Sequence, residues 1–258
     1  GIDLSVGAVV AFTGIFIASA LSRGMNPLWA MVIAVTIGVS FGALQGSLIS
    51  VFDLPPFLVT LGGMFFMRGM GFVVHPQSVG IRHAFYGTTI PNLAIPLPQR
   101  LSVPFTALCL IGVVLAGTFL AVFTRFGRTI YAIGSNQTSA ALMGVPVRRT
   151  KVGIYALAGF FSALGGIVAT FYKQSGDPAS FVGLELEANA ATVIGGTPLT
   201  GGVGFIPGTL TGVLILGLIN NLVIFEGDLN SWWTSIAIGG LLLLSIVLQQ
   251  AVGRRAAD

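Results

Sequence analysis

Seven apolar stretches of the 258-residue chain contain no Asp, Glu, Lys or Arg: 4–22, 24–52, 54–67, 101–124, 152–172, 188–225 and 229–253. A helix needs about 20 apolar residues to cross a hydrocarbon core about 30 Å thick. Four stretches (4–22, 101–124, 152–172 and 229–253) fit one such helix each, and 24–52 fits one with slack. The stretch 54–67 reaches that length if it runs past Arg68 to Val74. Charged residues make up 8% of the chain, against about 25% in a soluble domain. The mean hydropathy of +0.94 leaves too little polar surface to cover a water-facing globule. Composition therefore argues against a soluble enzyme, a disordered tail or a disulfide-rich secreted scaffold. The one cysteine, Cys109, lies in an apolar run and cannot pair within the chain. An all-α, polytopic membrane bundle is expected.

The stretch 188–225 is too long for one helix and slightly short for two, at 38 residues. Its middle, Gly195 to Gly208, holds six Gly together with Pro198 and Pro207. Glycine costs about 1 kcal/mol and proline about 3 kcal/mol in a helix interior, so the helix is expected to break there. Irregular backbone at membrane depth must be satisfied by protein or by a water-filled cavity. Two short helices meeting at a wet, Gly-rich segment are the expected result. That makes about eight crossings in this sequence, within a single transmembrane domain over 1–258. The sequence starts at Gly1 on an apolar run with no basic flank, unlike a signal peptide. It is expected to begin inside a longer protein.

Seven of the twelve basic residues lie in two short stretches, Arg125, Arg128, Arg148, Arg149 and Lys151 in one and Arg254 and Arg255 in the other. Basic loops stay on the cytoplasmic side. Both ends of the chain are therefore expected inside, with Arg23, Arg82, Arg100 and Lys173 outside. The net charge of +4 is membrane charge, not a nucleic-acid footprint. Gly38, Gly42 and Gly46 recur every four residues, as do Ala158, Ser162 and Gly166. Small residues at that spacing let helices approach closely in a membrane.

Signals for catalysis are poor. Both histidines, His75 and His83, fall in one loop, and no metal-ligand spacing is present in the sequence. Neither Lys151 nor Lys173 follows a glycine, so the phosphate-binding G-x-x-x-x-G-K-[ST] loop is missing. Gly38-Val39-Ser40-Phe41-Gly42 matches G-x-S-x-G, yet it falls mid-helix and far in sequence from either histidine, where a nucleophile cannot be activated. No metal or cofactor is expected in this chain.

The loop 124–151 is more informative. Asn136 can cap a helix start, Gly144 can close it, and Pro146 follows. A two-turn helix with an exposed Ala/Leu/Met face needs something to cover it. The covering surface is either this chain's own helix ends or a groove in a partner. Asn136, Gln137, Ala140, Ala141, Leu142, Met143 and Gly144 are the candidate contacts. For a polar path, or its scaffold, the candidates are Asp3, Ser5, Thr60, Arg68, Gly195, Gly196, Thr197 and Asn220. Asn189, Thr192, Thr200 and Asn221 flank the broken segment. Asp3 and Ser5 also suit a helix cap, and Arg68 either faces a cavity or snorkels to the surface. Uncharged donors and acceptors suit a neutral polar solute, or hydrogen bonds between helices.

Several of these runs resemble one family. Gly1-Ile2-Asp3-Leu4-Ser5-Val6-Gly7, Pro55-Pro56-Phe57-Leu58-Val59-Thr60-Leu61-Gly62 and Thr124-Arg125-Phe126-Gly127 are similar to the permease subunits of bacterial monosaccharide ABC importers, the ribose, xylose and galactofuranose group. So are Ala132-Ile133-Gly134-Ser135-Asn136, Gly144-Val145, Ile194-Gly195-Gly196-Thr197, Gly201-Gly202-Val203-Gly204 and Asn220-Asn221-Leu222. Trp232-Trp233-Thr234 and Met64-Phe65-Phe66-Met67-Arg68-Gly69 look most like the galactofuranose type. The resemblance implies about ten spans in the full protein and a place in a bacterial inner membrane. It implies a second permease, identical or related, a pair of cytoplasmic ATPases that hold ATP and Mg, and a periplasmic sugar-binding protein. It also makes 136–144 a coupling helix seated in an ATPase groove. Gln137 departs from the Glu found in many relatives, which weakens a charge-based contact there. The rival class is an ion-independent channel or a secondary transporter, which would show similar broken helices; ion coupling would want a mid-span carboxylate, and none is present.

Overall fold

The computed structural model describes residues 2–96, 102–226 and 232–255; Gly1 and Arg100 lie outside them. Each apolar stretch becomes helix. The long elements are α1 (Val6–Ser22), α2 (Pro27–Val51) and α3 (Pro56–Val74). A π-helical turn (Phe85–Thr89), α4 (Ile90–Asn92), α5 (Phe105–Phe123), α6 (Arg125–Ser135), α7 (Gln137–Leu142) and α8 (Val147–Lys173) follow. The last three are α9 (Leu184–Ile194), α10 (Ile206–Glu226) and α11 (Trp232–Arg255). Among the described residues, four two-residue strands pair in short antiparallel ladders: β1 (Val79–Gly80) with β4 (Ser175–Gly176), and β2 (Ile95–Pro96) with β3 (Ser102–Val103). Among the described residues, α2, α3, α5, α8 and the segment 206–223 of α10 are long and apolar enough to cross a membrane. The 17-residue α1 falls just short of that length.

The stretch 188–225 does break, but not into two equal halves. α10 is 21 residues long and α9 only 11. At 1.5 Å per residue, α9 reaches about 16 Å, roughly half a bilayer.

The chain divides into two compact units, Gly1–Val113 with Pro146–Glu185, and Val114–Val145 with Leu186–Asp258. In the first, α1 is buried along nearly its whole length, as expected of a helix apolar all round. Ile17, Ala18, Ala20 and Leu21 share a core with Ala30 and Ala34 of α2, Tyr86 and Ile167 of α8. Ala8, Val9 and Phe12 pack on Met67 of α3. The glycine row of α2 does what its spacing predicts. A methyl at Gly38 would strike the Gly159 carbonyl, one at Gly42 the Tyr155 carbonyl, and one at Gly46 the Val152 backbone of α8. The small residues expected on α8 divide their work. Its Gly166 meets Val10 and Thr13 of α1 rather than α2. Ser40 of the G-x-S-x-G match is exposed in the middle of an unbroken α2, so it is not at a strand-to-helix turn.

In the second unit, Ala190 and Ala191 of α9, Leu216 of α10 and Ile238 of α11 form the core.

Candidate functional site

Two constellations hold the expected site residues, one in each compact unit. In the first unit, Asp3 opens α1. Its Oδ1 accepts from the Ser5 amide at 2.8 Å and lies 2.7 Å from Ser5 Oγ. Ser5 Oγ is also 3.2 Å from Gln45 Oε1, but a hydroxyl carries one proton. Given to the carboxylate, the shorter and charge-assisted contact, that proton leaves the Gln45 oxygen facing another oxygen. Turning the amide over makes Nε2 the donor to Ser5 Oγ. It also gives a partner to a buried amide nitrogen that otherwise has none. Thr60 of α3 is wholly buried and donates to the Pro56 carbonyl at 2.9 Å, with the Ile2 carbonyl at 3.4 Å. Asp3, Ser5, Thr60 and Gln45 thus link the start of α1 to α2 and α3.

Gln45 was not among the sequence candidates. Its signal was there: an amide beside Gly46, in the glycine row of a membrane helix. An uncompensated amide in an apolar interior costs about 1–3 kcal/mol on mutational scales, so a buried one needs partners.

Arg68 sits on α3, half-buried. Its guanidinium donates to the carbonyls of Ser180 at 2.6 Å and Pro178 at 3.1 Å. These two bonds tie α3 to the loop after α8. Lys173 lies over the Phe181 ring of that loop at 4.2 Å. Beside the π turn, the Tyr86 hydroxyl is 3.2 Å from Thr170 Oγ1. Burial pushes the Tyr86 hydroxyl up from its ordinary value, and the Thr170 bond partly opposes that rise.

The second unit holds the cap-and-stop helix. Asn136 ends α6 and begins α7 in the same residue, and its side chain accepts from the Ser139 amide at 2.9 Å. Gly144 has φ +81°. The Gly144 amide donates to the Ala141 carbonyl and the Val145 amide to the Ala140 carbonyl, the paired bonds of a Schellman closure. Leu142 is 85% exposed and Met143 73%. Asn136, Gln137, Ala141 and Gly144 are exposed as well. Ala140 departs from expectation: it is 0% exposed, so it faces inward and cannot offer a surface to a partner.

The Gly-rich segment is closed by the same device. Gly196 has φ +91°, its amide donates to the Val193 carbonyl, and the Thr197 amide donates to the Thr192 carbonyl. Gly195, Gly196 and Thr197 therefore terminate α9. Further on, the Gly201 amide bonds the Pro198 carbonyl and Tyr131 of α6 donates to the Gly204 carbonyl at 3.1 Å. The break is real, but these polar groups are met by protein. Asn220 is half-buried and Asn221 exposed on α10.

With this geometry in place, the chain can be set beside known proteins. The family described as "Branched-chain amino acid transport system / permease component" matches residues 1–246, and the chain belongs to that family of permeases. The inner membrane ABC transporter permease protein YjfF of Escherichia coli (strain K12) is 47% identical over 253 residues, 98% of this chain and 76% of that protein. The fructose import permease protein FruG of Bifidobacterium longum (strain NCC 2705) is 38% identical over 257 residues, 98% and 75% of the two chains. The ribose import permease protein RbsC of Escherichia coli (strain K12) is 35% identical over 249 residues, 96% and 77%. The family description names amino acids, whereas two of these relatives are named for sugars. No solved structure matches the chain significantly.

Proposed function

We propose that this chain is the membrane permease subunit of an ATP-driven importer of a monosaccharide in a bacterial inner membrane. The observation that carries the coupling half of this reading is α7. It is a capped helix of six residues, outside the apolar spans, and among the described residues Leu142 at its end and the following Met143 are 85% and 73% exposed. Such side chains on a rigid support are the anchors of a helix-in-groove interface. The substrate half follows the sugar-named relatives rather than the family description, because identity to individual proteins is the narrower likeness.

On this reading the basic loop 124–151 faces the cytoplasm, and two cytoplasmic ATPases hold the ATP and Mg. A second permease, identical or related, completes the membrane part, and a periplasmic sugar-binding protein delivers the solute. ATP binding closes the ATPase pair and pushes α7. The membrane helices then rock between two states. Asp3, Ser5 and Thr60, with Gln45, act as scaffold of the path rather than as its lining, since Ser5 and Thr60 are buried and their hydroxyls are met by protein, Asp3 and Gln45 for one and the Pro56 and Ile2 carbonyls for the other. Arg68 is scaffold in the same sense. Gly195, Gly196, Thr197 and Asn220 are proposed for the path on the second unit. Within the sugar class, galactofuranose is the particular substrate proposed, from the runs Met64–Gly69 and Trp232–Thr234.

The test is Leu142→Asp with Met143→Asp in the full-length permease. Interface anchors are worth about 2 kcal/mol or more each, so ATPase capture in a detergent pull-down should fall at least thirtyfold (about 2 kcal/mol). Uptake should vanish while the protein stays in the membrane. Uptake and ATPase stimulation that persist in this variant would sink the coupling reading. Competition of labelled-sugar uptake by galactofuranose, ribose, fructose and leucine tests the substrate; competition by leucine alone would return the chain to the amino-acid class.

A further inference from the structure

We infer that the glycine loop between α9 and α10 is a latch on α6, and that it carries the displacement of α7 to α10. This inference rests on the coupling role proposed for α7.

The chain offers no slack between α6 and α7. Asn136 is both the last cap of one and the first cap of the other, so α6 moves when α7 does. At the end of α6 the loop lies against it backbone to backbone. A methyl at Gly134 would sit 2.5 Å from the Gly202 amide nitrogen. One at Gly202 would sit 2.8 Å from Ser135 Oγ and 2.9 Å from its Cα. Gly202 and its neighbour Gly201 have φ of +83° and +84°, a conformation in which a side chain is strained. One turn back on α6, Tyr131 donates its hydroxyl proton to the Gly204 carbonyl, and Gly204 in turn lies against Thr197. Two residues beyond Gly204, α10 begins. At its base, methyls at Gly208 and Gly212 would strike the carbonyls of Gly195 and Ala191, so α9, the loop and the first turns of α10 are packed backbone to backbone.

A contact made of main chain and one half-buried tyrosine hydroxyl has few ways to yield. Packed interfaces switch between discrete arrangements rather than deform continuously. A push on Leu142 and Met143 therefore reaches α10 through Tyr131, Gly134 and the loop. Tyr131 and Gly134 are positioning residues in this sense.

The experiment uses the full transporter in proteoliposomes with its ATPase and binding protein. Tyr131→Phe removes the hydroxyl alone, and Gly134→Ala pushes the loop off α6. Three quantities are read: ATPase capture, ATP turnover, and sugar moved per ATP. Expected is a fall of about fivefold or more in sugar moved per ATP with capture and turnover retained, a split that loss of folded protein would not give. Wild-type sugar per ATP in both variants overturns the latch. If Gly134→Ala does not assemble, Tyr131→Phe alone decides. The Leu142→Asp, Met143→Asp double variant is run beside them. Should it lose ATPase capture while the latch variants stay fully coupled, only the latch is refuted. Should it retain capture and uptake, the coupling reading itself has failed.

Discussion

The seam between α2 and α8 and the loop between α9 and α10 are both built on glycine, and they use it for different ends. Along the seam, Gly38, Gly42 and Gly46 are ordinary helical residues whose value is the missing side chain, which lets two rods touch. In the loop, Gly196, Gly201 and Gly202 stand at positive φ, and their value is the backbone conformation, with close approach added at Gly202. One region is a weld, the other a terminator and a clamp. The lesson is that glycine in a membrane chain does not mark a path by itself; its spacing distinguishes the two uses.

The comparison breaks most readily at the seam. Gly42→Leu drives a branched side chain into the Tyr155 main chain, and overpacking of this kind costs about 3 kcal/mol. Folded protein in the membrane should fall to near nothing in a detergent-solubilised sedimentation assay; a normal level would refute the seam. Gly202→Ala should be milder, about 1–2 kcal/mol for the left-handed conformation with the contact to Ser135 added, read as a lowered Tm of a protein that still assembles. Arg68→Gln should be comparable, about 1.5–3 kcal/mol for hydrogen bonds from a charged donor. Its signature is local: faster proteolysis within 177–181, with α2 and α8 unaffected.

The smallest expected effect concerns pH. The Tyr86 hydroxyl is held above its ordinary value of 10.0 by burial. Its contribution to stability is thus fully present below pH 10 and is lost as pH rises through the raised value. Tyr86→Phe should flatten the alkaline limb of a thermal melt and leave neutral pH stability nearly unchanged; an unaltered limb would exclude this group.

Much of the fold was legible because hydropathy and length act over whole helices. The glycine row of α2 and the caps Asn136 and Gly144 were legible because each is a local rule. Four things were not. The break at 195–205 could be placed, but its satisfaction by Thr192, Val193 and Tyr131 depends on hydrogen bonds that composition does not encode. The inward turn of Ala140 escaped because six residues are too few to define a periodic face. Arg68 could be seen to need partners, yet its carbonyls lie 110 and 112 residues away. Gln45 stood in the glycine row and so could be seen to need partners, yet those partners, Ser5 among them, lie on another element 40 residues away.

The shared Asn136 has a last consequence. The knee between the two short helices is fixed by Asn136, whose amide donates to the Ala132 carbonyl and whose side chain accepts from the Ser139 amide, and none of these bonds involves Leu142 or Met143. On the coupling role proposed for α7, exchanging Leu142 and Met143 would change which engine is recognised while the lever arm behind them kept its length and angle. Recognition and leverage can then evolve separately.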